Sequence, residues 1–257
     1  MPSWSQITNS RDAMNIFWEL GLKIRNKEID VGRQHYALSL LHGVRQAVHC
    51  GYEKIAAVEL GVAGGNGLLE LCKAAAYFRN EFAMDIQVYG FDNATGLPPP
   101  VDYRDHPELW SQGNYKMPNP NVLREQLPDF AHLIIGDVSE TIPEFEERSF
   151  GYRLGFVSVD LDYYSSTIAA LKILENHPTS YVPAVPVYFD DVEGAITYNP
   201  WCGEEGAAKE FNEKHELRKI HFRPNYRILN FSVCHILDHP MRTGKVLPRF
   251  PLDIFPF

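Results

Sequence analysis

The segment Asp160-Leu-Asp162-Tyr-Tyr164-Ser-Ser166-Thr167 sets two acids one residue apart, and Asp190-Asp191 supplies a second pair further along the chain. Carboxylates that converge repel one another unless a proton or a cation neutralises them, so Asp160, Asp190 and Asp191 together could hold one hard cation. All-oxygen ligation by acids suits Mg2+ better than Zn2+, whose sites favour His and Cys. The competing reading is local: Asp162 and Ser166 cap the following helix, and the Asp pair merely ends a strand. Asp162 is assigned that capping role.

A second constellation is Glu59-Leu-Gly61-Val-Ala63-Gly64-Gly65-Asn66-Gly67. Glycines at a strand-to-helix turn let backbone approach a ligand closely, and the helix start presents unpaired N–H groups to it. A dinucleotide site asks for Gly-x-Gly-x-x-Gly and an acid about 20 residues on; here Ala63 stands at the second glycine and Asp92 comes later. Glu59, at the end of the first strand, would repel a pyrophosphate but attract a ligand bearing an ammonium and a sulfonium. That chemistry points to S-adenosylmethionine rather than NAD. Glu59, Gly61, Ala63 and Gly65 then surround the methionine part, Asp92 accepts hydrogen bonds from ribose hydroxyls, and Asp137 lies near the adenine. Turn or helix-cap duty is the alternative for Asp92 and Asp137.

The elements that must gather these residues are legible as apolar runs, each closed by an acid. They read Ile55–Glu59, Val88–Asp92, Leu133–Asp137, Phe156–Asp160 and Val187–Asp190. Short Val/Ile/Phe-rich runs separated by helix-length stretches predict parallel strands buried on both faces. The acids then fall at the carboxyl edge of one doubly wound α/β sheet, where such sheets bind ligands. Periodicity from Arg11 to about Cys50 predicts two helices, with Ile16, Phe17, Leu20 and Ile24 on one face and Tyr36, Leu40, Val44 and Val48 on another. Glu204 to His215 reads as a helix, and Leu217–Phe222 and Tyr226–Leu237 read as two further strands. With no linker in view, 1–257 is expected to form a single domain with a helical cap over 1–51.

Residues 97–121 break the pattern. This stretch carries a run of prolines together with Tyr103, Trp110 and Tyr115. Its aromatics favour a lid over an organic ligand against a disordered tract. Within it, His106 has a side chain suited to general base catalysis, beside a metal-assisted role for Asp160.

The chain has 257 residues, 45% of them hydrophobic and 22% charged, with a net charge of -9. An acidic balance argues against a phosphate-binding face, so no nucleic-acid partner is expected. No apolar run reaches the length of a membrane span. Met1-Pro-Ser-Trp-Ser-Gln lacks the basic and apolar regions of a secretory signal, and a cytoplasmic location is expected. The four cysteines, with no Cys-x-x-Cys pair, read as reduced packing thiols. The N-terminal helices offer a surface for homo-oligomer formation.

Taken in order, Glu59-x-Gly61-Val62 with Gly65, Gly90-Phe91-Asp92 with Gly96-Leu97-Pro98, Gly136 with Thr141-Ile-Pro143, Asp160-x-Asp162-x-Tyr164-x-Ser166-Thr167 and Asp190-Asp191 resemble the macrocin-type O-methyltransferases. These class I S-adenosylmethionine-dependent enzymes methylate sugar hydroxyls in macrolide antibiotics. The resemblance covers roughly residues 55–194. It implies a Rossmann-like class I methyltransferase fold with a seven-stranded, mostly parallel sheet, S-adenosylmethionine as methyl donor, and Mg2+ held by Asp160, Asp190 and Asp191. The family usually has an aromatic and an Arg before the paired glycines, where this chain has Ala63 and Gly64. The expected acceptor is a small-molecule hydroxyl, on a sugar or a diol. Two other readings stay open: a non-catalytic S-adenosylmethionine-binding protein, and a Mg2+-dependent hydrolase on a doubly wound sheet.

Overall fold

The computed structural model describes residues 10–192, 199–222 and 228–233. Two helices come first, α1 (Ser10–Arg25) and α2 (Gln34–Cys50). Phe17, Leu20 and Ile24 of α1 and Tyr36, Leu40 and Val44 of α2 are buried, as their spacing predicts. Gly51 stops α2 in the left-handed region at φ 72, where a glycine carries no steric penalty.

Next come β1 (Lys54–Leu60), α3 (Asn66–Phe82), β2 (Asp85–Asp92), α4 (Pro120–Gln126), β3 (Ala131–Ile135), the short helices α5 (Val138–Thr141) and α6 (Phe145–Arg148), and β4 (Arg153–Val159). The described chain ends with α7 (Tyr164–Ala170), β5 (Val185–Phe189), α8 (Gly203–Lys214), β6 (Arg218–Phe222) and β7 (Ile228–Val233). The expected last strand covered 226–237; positions 226–227 and 234–237 lie outside the described residues.

Strands β1 to β5 are parallel, in the order β3-β2-β1-β4-β5, and the antiparallel pair β7-β6 extends the β5 edge. Burial follows from that position. In β1 every residue after Lys54 is buried, and β5 is buried throughout, because a central parallel strand meets helices on both faces. The chain moves one way from β1 to β2 and the other way from β4 to β5. Right-handed crossovers therefore send α3 and α7 to opposite faces. Between β1 and β4 the strand order reverses, and this switch point opens a crevice at the carboxyl edge. Crossing it is tight: a Cβ on Gly61 would collide with the Asp160 carbonyl oxygen, so the turn after β1 tolerates only glycine there.

Candidate functional site

The carboxyl edge opens into a cavity of about 380 Å3. Glu59, Gly61, Ala63, Asp92, Asp137, Asp160, Asp190 and Asp191 all line it, so the strand-end acids meet as the apolar runs predicted. Gly65 and His106 do not line it. Gly65 sits at φ 90 as the N-cap of α3, and a Cβ there would run into the Leu123 side chain; its smallness serves packing against α4. His106 follows a 3-10 turn in the left-handed region at φ 51 and is buried away from the cavity. Its Nδ1 pairs with Glu108 at 2.9 Å, and its ring edge lies against Gly203.

Glu59 is the next-to-last residue of β1, one place earlier than expected, and is fully buried. In the ladder it faces Ser158 of β4. A hydrogen-bond chain fixes it: Ser158 Oγ donates to the Tyr36 hydroxyl at 2.8 Å, which donates to Glu59 Oε1 at 2.9 Å. Oε2 has no partner among the described residues. Burial raises the carboxyl to about 8, against the pull of the Tyr36 hydrogen bond, with Asp160 adding to the rise. Gly67 makes room for this side chain, since a Cβ there would overlap Oε1. Arg33, just before α2, is the one cationic residue lining the cavity among the described residues, and it interacts electrostatically with Glu59 and Asp160.

Asp92 performs turn duty. Its Oδ2 accepts from the Val62 and Ala63 amides at 2.9 and 2.8 Å, and its Oδ1 from Ala94 at 2.6 Å. The acid at the end of β2 thus folds the glycine-rich turn onto the cavity wall. Asp137 caps α5, accepting from the Ser139 amide at 2.8 Å.

The far wall holds the acid cluster. Burial, then repulsion from Asp190 and Asp191, raises Asp160 to about 7, while Arg33 draws it down. Burial also raises Asp162, which hydrogen-bonds to Asp191 and feels Asp160. Asp190 accepts from the Tyr188 hydroxyl at 2.7 Å. By donor type this all-oxygen set fits a hard divalent cation. Among the described residues, however, no three His, Cys, Asp or Glu side chains are drawn into a ligand sphere. Asp162 does not cap the following helix. It sits in the left-handed region at φ 59, and the cap comes from the lid: Asp105, buried, accepts from the Ser165 amide and hydroxyl, both at 2.8 Å.

Glu204, in the first turn of α8, is fully buried. Its Oε1 accepts from the Leu161 amide and its Oε2 from the Asp191 amide, each at 3.0 Å. Arg33 escaped the sequence reading, as did the site role of Glu204; Asp105 was read only as a lid residue near the rim, not as the cap of α7. Arg33 precedes α2 without any motif, and a Glu in a first helical turn looks like an ordinary dipole partner. The lid itself is built rather than structureless. Leu97 and Gly113 exchange backbone bonds with Asn114 and Leu97, and Leu97, Pro98, Trp110 and Tyr115 line the cavity.

No protein-family model matches the sequence, and no curated protein is similar to it. Solved structures do share the fold. CalS11, a calicheamicin methyltransferase, is 22% identical over 77% of either chain with a TM-score of 0.53. The O-methyltransferase NovP is 15% identical over 78% of either chain with a TM-score of 0.57. At these identities the likeness is one of fold alone, a Rossmann-like parallel α/β sheet of the kind these two methyltransferases have.

Proposed function

We propose that the chain is an S-adenosylmethionine-dependent O-methyltransferase that uses a divalent cation, with Mg2+ the expected ion, and acts on a hydroxyl of a sugar or diol-like small molecule. One observation carries the reading: among the described residues, a cavity at the switch point is lined by a buried carboxyl with an unpartnered oxygen, by one cationic side chain and by an acid cluster. Glu59 and Arg33 form a matched pair for the ammonium and carboxylate of an amino acid. A pyrophosphate would meet Glu59 and the acids as repulsion. The shared fold with CalS11 and NovP supports this assignment over a hydrolase.

Glu59, Arg33 and the turn of Gly61 to Gly67 would hold the methionyl part, with Asp92 and Asp137 along the nucleoside side. Asp160, Asp190 and Asp191 would hold the cation. Bound S-adenosylmethionine supplies an electrophilic methyl carbon, and the cation supplies Lewis acidity toward the acceptor oxygen. Asp162 replaces His106 as the residue assigned to take the acceptor's proton: it lines the cavity, and its raised pKa brings it nearer working pH. Trp110 and Tyr115, in edge contact at 5.7 Å, line the cavity on the lid side and would lie over a bound acceptor.

The test is calorimetric titration of S-adenosylmethionine and S-adenosylhomocysteine, with and without Mg2+, and NAD as control. Micromolar binding of the adenosyl ligands and none of NAD is the expected result, followed by Mg2+-dependent methylation in a panel of sugars and diols. Absence of adenosyl binding in both conditions removes the assignment.

A further inference from the structure

We infer that Glu204 is a positioning residue, a buried carboxylate strut that holds the tails of β4 and β5 at one spacing and so sets how Asp160 faces Asp190 and Asp191. The inference rests on the cation-binding part of the function proposed above. The two amides it receives belong to Leu161 and Asp191, each directly after an acid of the cluster. The β4-β5 ladder ends at Val159 and Phe189, with one more bond from the Asp190 amide to the Val159 carbonyl at 3.1 Å. Beyond it no further ladder pair forms, and Glu204 bridges the two segments there.

Two features separate this role from filler packing or helix capping. A cap would bond the exposed amides of its own helix, whereas both oxygens of Glu204 go to other segments. If only packing mattered, an apolar side chain would cost far less than a buried carboxylate beside Asp160 and Asp191. The carboxyl accepts at both ends, one N–H donor to each oxygen, an arrangement an amide side chain cannot reproduce because its NH2 end only donates. The start of α8 is shaped to deliver the side chain: Gly203 turns in at φ 53, and Gly206 fits against the Trp201 backbone, where a Cβ would crowd it.

The experiment compares the full chain with Glu204→Gln and Glu204→Asp by calorimetry, using Mn2+ and Mg2+ as cation probes and S-adenosylhomocysteine as the cofactor probe, with thermal melts alongside. Gln turns an NH2 group toward one of the two amides. Asp keeps the charge but is a methylene too short to span both. Both variants are expected to lose about 10- to 100-fold in cation affinity, the range typical when a partner of a metal ligand is removed, while S-adenosylhomocysteine affinity stays within about threefold. A Glu204→Gln chain that melts cooperatively and binds Mn2+ as the parent does overturns the inference. So does a parallel loss of cation and cofactor affinity in both variants, which marks a general prop of the fold. Should the Gln variant not fold, the Asp variant decides by the same two affinities. If the parent binds the cofactor but no divalent cation, the cation reading itself fails and takes this inference with it; equal binding by parent and variant removes the inference alone.

Discussion

At the residue scale, the cavity brings the Arg33 guanidinium within electrostatic reach of the buried Glu59 carboxyl, a combination suited to the carboxylate and ammonium of a zwitterion. Removing the guanidinium therefore should act on one end of the ligand only. Arg33→Ala is expected to weaken S-adenosylhomocysteine about tenfold, and to leave 5′-methylthioadenosine, which lacks the amino acid, within about twofold; competition calorimetry with both ligands measures the split. Equal losses for the two would show that Arg33 shapes the pocket rather than reading the carboxylate. The acids of this site were legible because each ends an apolar run, and strand ends converge in a parallel sheet. Arg33 was not, and neither were the contacts made by Asp105 and Glu204. Their partners lie 26, 60 and 43 positions away or in another element, and no local pattern encodes such distances. His106 shows the converse: a suitable side chain in a suitable loop, turned aside by one left-handed backbone step.

At the element scale, the lid is rooted in the layer that carries the acids. Asp105 closes the start of α7, accepting also from the Val101 amide at 2.8 Å. Arg104 stacks over the Tyr164 ring at 4.0 Å while paired with Asp102, and Tyr164 hydrogen-bonds Glu210 of α8. Asp105→Ala removes a buried carboxylate and leaves three donors unanswered, so a loss of about 2 kcal/mol in stability is expected from denaturant titration. On the function proposed above, the same variant should raise KM for the acceptor more than the dissociation constant for S-adenosylhomocysteine. The parallel strands were readable as elements because burial on both faces removes polar alternation. The lid was readable only as an interruption, since its turns close through its own side chains and backbone and its anchors are residues of α7 and α8 far along the chain.

For the whole molecule, the charge set sets a pH slope. Glu59 and Asp160 are raised to about 8 and about 7, and Asp162 and Glu204 are raised as well, chiefly by burial. A folded state that holds these protons more tightly than the unfolded chain loses stability as pH climbs from the ordinary carboxylate range toward the raised values. His49 and His132, lowered by burial, act in the opposite sense near their ordinary pKa. With four acids against two histidines, the melting temperature of the ligand-free chain is expected to fall between pH 5.5 and 8, flatten with saturating Mg2+ and S-adenosylhomocysteine, and fall less steeply in Glu59→Gln; a melt series across pH tests all three. Among the described residues no helix is long and apolar enough to cross a membrane. The anchorage of the lid has a consequence for how such a protein could diversify. Its root, Arg104 and Asp105, is bolted to the acid-bearing layer, while Trp110 and Tyr115 stand at the free end over the cavity. Exchange of side chains within 107–116 would reshape the cavity on the lid side while the Asp105 anchor on α7 stays in place.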